Sequence, residues 1–173
     1  AIKVVVGSVV LNVISIYAPH IGFPDNIKKQ FWEDLDLVIQ DMPRYENLFI
    51  GGDFNGHIGA EADRYDSAHG GFDFGERNNG GVSVLDFVVA YGMLVVNSFF
   101  KKEEDHLVTF KSGPIRTQIN YFQVRVDIRR FYKDCKVIPS EYLGTQHRLL
   151  VLDVKLKCSK WKRRSAGEPI VKW

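Results

Sequence analysis

The alternation of apolar and polar positions separates the chain into strand-like and helix-like stretches. Val4-Val5-Val6 and the run from Val9 to Tyr17 are rich in β-branched residues, and Gly7-Ser8 between them suits a two-residue hairpin turn. The apolar stretch Val4 to Ile16 does not read as a signal-peptide core. Lys3 is a poor basic flank, and Gly7, Ser8, Asn12 and Ser15 interrupt the run. Because a strand pattern is under way from the first residues, we expect further chain upstream. Pro24-Asp25 opens a helix with Asp25 as its N-cap. Ile27, Phe31, Leu35, Val38 and Met42 follow at spacings of 4, 4, 3 and 4, one apolar stripe at helical period, and Pro43 stops it. Asn47 to Gly51 is a short buried strand. Strand, helix and strand from Val9 to Gly51 form a βαβ crossover, which predicts parallel pairing in a sheet covered by helices.

Residues 55–80 read as a long Gly/Asp/Asn-rich loop of the kind that is usually functional or mobile. Val82 to Tyr91 is a second helix, with Gly92 as its C-terminal stop. Short strands are expected at Leu94–Phe99, Leu107–Phe110, Gln118–Val124, Lys136–Ile138 and Leu149–Leu156, separated by turn signals such as Ser112-Gly113-Pro114 and Pro139-Ser140. Periodicity then fades into a basic stretch with Lys160-Trp161-Lys162-Arg163-Arg164. The expected organisation is one α/β domain over 1–157 and a basic tail or linker over 158–173. That basic cluster fits a solvated tail, a nucleic-acid contact or a nuclear address.

Composition narrows the class. A chain of 173 residues with 45 % hydrophobic and 25 % charged positions is an ordinary globular domain, which disfavours disorder. No apolar run reaches the ~18 residues of a membrane span. Two cysteines, Cys135 and Cys158, make no disulfide framework, so we expect a nuclear or cytoplasmic setting. Charge is unevenly spread. Residues 1–100 carry 6 basic and 13 acidic side chains, net −7, and residues 101–173 carry 17 and 8, net +9. Solvated faces explain such a split blandly. An acidic half that gathers carboxylates and a basic half that meets phosphate explain it too.

Four stretches carry candidate chemistry. In Gly51-Gly52-Asp53-Phe54-Asn55, a buried strand ends in two glycines and delivers a carboxylate and an amide two residues apart, facing the same side. Open α/β sheets place their sites at such strand ends, although an Asx turn would look the same. Tyr17-Ala18-Pro19 sets a phenol at a strand end, or simply packs. Asn120 is a polar break in the apolar strand Gln118 to Val124. In Thr145-Gln146-His147-Arg148, a strand-start histidine can act as acid, base or phosphate ligand, or be structural.

The order and spacing of these segments resemble the endonuclease/exonuclease/phosphatase family of metal-dependent phosphodiesterases. Within it, the chain looks most like the endonuclease region of RTE-type non-LTR retrotransposons and the host proteins derived from them. Tyr17-Ala18-Pro19 resembles the family's Tyr-x-Pro segment, and Gly52-Asp53-Phe54-Asn55 matches its Gly-Asp-Phe-Asn signature. Val96-Asn97-Ser98-Phe99 resembles its Asn-Thr segment, and Thr109-Phe110 its Thr-Trp/Phe position. His106 to Gly113, Asp134 to Pro139 and Thr145 to Leu150 extend the likeness over about residues 3–157.

The resemblance implies the later portion of a four-layer α/β sandwich and Mg²⁺-dependent cleavage of DNA, as at abasic sites. Asp53 would orient or deprotonate the attacking water, and Asn55 would bind that water or the phosphate. Tyr17 would meet the scissile phosphate or the leaving oxygen, and His147 a non-bridging oxygen. Asn97, Lys111, Arg116 and Arg148 would contact the nucleic acid. DNA is the expected partner, with RNA an alternative, and no membrane is involved.

Three departures point to impaired catalysis. The segment with the family's metal-binding Glu would precede Ala1. Gln146 stands at the usual Asp of Ser/Thr-Asp-His. Asn120 stands where an Asp usually pairs with the histidine, and an amide cannot stabilise an imidazolium by charge. A non-catalytic remnant that binds nucleic acid or protein is therefore the alternative reading, and self-association through an exposed sheet is expected.

Overall fold

The computed structural model describes residues 1–126, 131–142 and 146–156. Strands β1 (Ile2–Val6), β2 (Val9–Tyr17), β3 (Asn47–Asp53), β4 (Met93–Val95) and β7 (Asn120–Arg125) form one mixed sheet in the order β1-β2-β3-β7-β4. The two short strands β5 (Phe110–Ser112) and β6 (Ile115–Thr117) pair as a hairpin. Strands β8 (Tyr132–Tyr142) and β9 (Arg148–Val154) form a separate antiparallel pair. The β2–β3 pairing is parallel, as the βαβ reading requires, and the crossover is helix α1 (Asp25–Gln40). A second helix, α2 (Asn79–Ala90), precedes β4.

Strand alternation sorts the core into two clusters, one on each face of the main sheet. Leu48, Ile50, Met93, Val95 and Tyr121 pack with Leu35 and Ile39 of α1 and with Val84, Leu85 and Val88 of α2. Their sequence neighbours Phe49, Leu94, Phe122 and Val124 point the other way and pack with Tyr132, Cys135, Leu150 and Leu152. Helices, main sheet and the β8–β9 pair thus stack as successive layers. At the other margin, β1 is an edge strand whose five residues are all exposed.

Several boundaries differ from the sequence reading for physical reasons. Helix α1 does begin at Asp25, but the cap position is Pro24, which offers no side-chain cap; Asp25 pairs with Lys28 at 3.3 Å instead. Helix α2 starts three residues earlier than expected because Asn78 caps it, its side chain accepting from Gly81 N. The expected strand Leu94–Phe99 is only Met93–Val95, followed by a 3₁₀ turn over Val96–Phe99. There the buried Asn97 side chain replaces the ladder, donating to Asn120 O at 3.1 Å and accepting from Phe122 N at 2.9 Å. The expected strand Leu107–Phe110 survives only as the first residue of β5, since a 3₁₀ turn occupies Glu104–His106.

The loop between β3 and α2 has little regular structure, only a 3₁₀ turn at Asp63–Tyr65, yet it is tightly tied. Arg77 donates from Nε to Ile58 O at 2.7 Å, pairs with Asp63 at 2.7 Å and also reaches Glu61 O. His69, almost fully buried, meets Gly59 O at 2.8 Å and accepts from Gly71 N. The Tyr65 hydroxyl donates to Asp86 of α2 at 2.7 Å, and the guanidinium groups of Arg64 and Arg77 lie over its ring.

Candidate active site

Register alone assembles the first three site residues. Tyr17 pairs with Asp53 across β2–β3, and Asp53 pairs with Asn120 across β3–β7, so the three share one row at the end of the sheet. By alternation they face the β8–β9 layer, the face of Phe49 and Phe122. His147 comes to this row from the start of β9, bridging to Phe110 with its ring 5.1 Å from the Phe110 ring. The close approach of β2 explains Gly52. Its φ is +151°, and an added Cβ would lie 2.0 Å from the Ile16 carbonyl oxygen.

His147 Nδ1 donates to Asn120 Oδ1 at 3.1 Å, which leaves Nε2 3.8 Å from Asp53 Oδ2. In the neutral ring that nitrogen carries a lone pair, so two acceptors face each other across the gap. A proton or a hydrogen-bond donor is the species that satisfies both. Asp53 Oδ1 accepts from Asn55 N at 2.9 Å. Burial pushes the Asp53 carboxyl above its ordinary value, opposed by that bond and by His147. Asn55 sits at φ +47°, a left-handed conformation that Asn tolerates, and its Nδ2 donates to Ala18 O at 2.7 Å.

The remaining expected contacts divide. Tyr17 is 71 % exposed and Lys111 is exposed, both open to a ligand. Arg116 is ion-paired with Glu104 at 2.5 Å and with Asp105 at 2.6 Å. Two of the expected contacts are buried. Asn97 has its amide engaged by β7, where it helps to position Asn120. Arg148 is 5 % exposed and turned toward Asp105, so burial withdraws it from the surface. Gln146 donates to Ser112 Oγ at 2.8 Å, away from Asp53. Thr145 and the basic cluster Lys160 to Arg164 lie outside the described residues, as does Cys158. Cys135 is buried, and burial pushes its thiol up to about 12.

Sequence reasoning missed the layer that supports this row. Thr109 Oγ1 accepts from both Ile119 N and Asn120 N, at 3.0 and 3.1 Å, and so fixes the backbone that carries Asn120. The buried Tyr121 hydroxyl donates to Gln118 O at 2.6 Å. Gln118, with its amide nitrogen toward Asp73 Oδ1 (3.1 Å) and its oxygen toward Asn97 Nδ2 (3.3 Å), links the loop to the site. The available signal was the recurrence of polar residues, Gln118, Asn120 and Gln123, in a strand otherwise fit for a core.

Asp73 allows a test of this support. Its carboxylate is buried and accepts from Phe74 N, and burial raises its proton affinity well above the ordinary carboxylate range. A carboxyl raised in the folded state costs stability as pH climbs from its unfolded value, 3.8, through its folded one. Asp73→Asn is therefore expected to be neutral near pH 4 and stabilising at pH 7.5. Urea midpoints at the two pH values check this, and equal differences would refute it.

Mg²⁺ favours oxygen ligands, commonly one or two carboxylates with waters and phosphate. Among the described residues no group of three or more His, Cys, Asp or Glu could hold a metal ion. The donor set here is the Asp53 carboxylate, one imidazole and amides. That set does not fit a resident Mg²⁺ by itself.

No protein-family model matches the chain. Craniofacial development protein 2 from Tragulus javanicus is 30 % identical over 149 residues, which is 85 % of this chain and 26 % of that protein. The protein of the same name from Bos taurus is also 30 % identical, over 85 % and 25 %. The chain thus spans about a quarter of these relatives. Among solved structures, a 3′ phosphatase from Neisseria bound to a product DNA hairpin superposes with a TM-score of 0.63 at 17 % identity, over 89 % of this chain and 64 % of that one. The endonuclease domain of TRAS1, a telomere-specific non-LTR retrotransposon, gives 0.59 at 14 %, over 86 % and 56 %. An AP endonuclease from Archaeoglobus fulgidus gives 0.56 at 14 %, over 84 % and 62 %. The chain therefore has the endonuclease/exonuclease/phosphatase fold, covers part of the length of its neighbours in it, and is similar in sequence to craniofacial development protein 2.

Proposed function

We propose that this chain carries the phosphodiester-cleaving half of a DNA-nicking endonuclease, working slowly because the partner of His147 is an amide. The observation that supports it most is the Asp53–His147–Asn120 row, in which a buried carboxylate and an imidazole nitrogen face each other at 3.8 Å. A water in that gap donates to Asp53, attacks phosphorus and leaves its proton on the carboxylate. The phosphorus–oxygen bond opposite breaks, and the leaving oxygen takes a proton from the Tyr17 hydroxyl or from solvent. When it carries a proton at Nε2, His147 donates to a non-bridging oxygen as charge grows there. The nuclease neighbours support the reading at the level of the fold.

The test is nicking of supercoiled and abasic-site DNA in Mg²⁺ buffer, with EDTA and Asp53→Ala as controls and circular dichroism to confirm folding. Nicking lost in Asp53→Ala supports the proposal, and none from a folded chain refutes it. One observation favours a second reading, a non-catalytic nucleic-acid-binding protein: among the described residues, Asp53 is the single acidic side chain that contacts His147. That reading predicts salt-dependent DNA affinity without nicking.

The donor set also predicts how the free chain answers to metal. Adding about 10 mM Mg²⁺ without DNA is expected to move Tm by less than about 1 °C, because a ligand stabilises only as far as it binds the folded state. A rise of about 5 °C in thermal scans would show a metal site that these residues do not account for.

A further inference from the structure

We propose that the cavity on the helix side of Asn55 is a nucleotide subsite, which holds the nucleoside monophosphate unit next to the scissile phosphate. The inference rests on the endonuclease reading above and extends it to a surface that the catalytic row does not use. The cavity measures about 370 Å³, at the small end of the range of roughly 300–1,000 Å³ for small-ligand sites. It lies between the β2–α1 loop, α1 and the first turn of α2. Asn55 belongs to both sites: its backbone N is held by Asp53, and its side chain is on the cavity wall.

Three kinds of surface meet there, and together they match a nucleotide. Phe31 and Trp32 supply an apolar wall, their rings meeting edge to face with centroids 5.1 Å apart and planes at 74°, and Trp32 braced 5.0 Å from Phe87. Such a wall accepts a base by its π-face. Asn55, Asn79 and Ser83 line the wall with amide and hydroxyl groups suited to base or sugar edges. Lys28 and Lys29 line it with ammonium groups that can reach a phosphate; Asp25 is the carboxylate on the wall, and Lys29 also pairs with Glu33 at 3.5 Å. Lys28 Nζ is anchored by Ile21 O at 3.0 Å and Asp25 at 3.3 Å, which leaves its third N–H for a ligand.

The chain has three tryptophans, so Trp161→Phe with Trp173→Phe leaves Trp32 as the only one, a reporter that needs no catalysis. The folded full-length chain is titrated with deoxyadenosine 5′-monophosphate, with 2′-deoxyadenosine and with inorganic phosphate. Saturable quenching by the nucleotide is expected, with a midpoint near 1 mM, about −4 kcal/mol. Nucleoside and phosphate alone should bind at least tenfold more weakly. Lys28→Ala with Lys29→Ala, and separately Ser83→Phe at an exposed position on the wall, should each weaken the nucleotide at least tenfold. No saturable quenching, phosphate as tight as the nucleotide, or variants as tight as the parent would each overturn the subsite. Nucleotide binding without nicking would refute the catalytic proposal alone, and nicking without nucleotide binding would refute the subsite alone.

Discussion

Asn120→Asp is expected to raise the nicking rate by about tenfold, the effect of roughly 1.4 kcal/mol of added stabilisation of a charged ring. Asn120 and Asp have the same shape, so the 3.1 Å bond to His147 Nδ1 is kept. What changes is charge. Asn120 orients the ring but offers nothing to an imidazolium, whereas an aspartate there stabilises it directly. The new carboxylate would be the register partner of the buried Asp53, with His147 in contact with both. Nicking rates of the two chains, with circular dichroism to confirm folding, measure the effect. An unchanged rate would mean that His147 takes no part in the chemistry.

Gly81→Ala should largely unfold the chain. Its Cβ would lie 1.6 Å from the His57 carbonyl oxygen and 2.8 Å from Ile58 N, backbone atoms that cannot swing aside. Gly81 N donates to the Asn78 cap, which also accepts from His57 N. Separating these segments breaks the junction of loop and helix that supports Phe54, Ile58 and Val84 in the core. Clashes of this kind cost more than about 4 kcal/mol, against a total stability of roughly 5–15 kcal/mol for a domain. Gly92→Ala is the control. Gly92 has φ +60° with nothing within 4 Å of its Cβ, so it should lose only about 1 kcal/mol. A normal urea midpoint for Gly81→Ala would contradict the close packing described.

The sheet was legible where one signal dominated. The β-branched runs, the stripe from Ile27 to Met42 and the Gly51-Gly52 exit gave β1 to β3 and α1 nearly to the residue. Asp53, Asn120 and His147 were legible as chemistry, and the fold brings all three together. The rest depended on side chains acting as backbone. Asn78 pulled the start of α2 forward, and Asn97 ended β4 early by bonding β7. Neither effect has a period that a local pattern could show. The burial of Asn97 and Arg148 was illegible for a related reason, because a polar residue in sequence carries no mark of which way it faces. Gln123 remains without a structural account, fully buried with neither amide atom partnered.

The knit of Arg77, His69 and Tyr65 across the β3–α2 loop has a consequence for recognition. A glycine-rich loop that ordered only around its substrate would charge the entropy of that ordering to binding. This loop is already ordered by its own guanidinium, imidazole and phenol contacts, so the ordering is settled during folding. Affinity for a ligand beside Asn55 then depends on contacts and desolvation alone, and association resembles lock and key more than coupled folding.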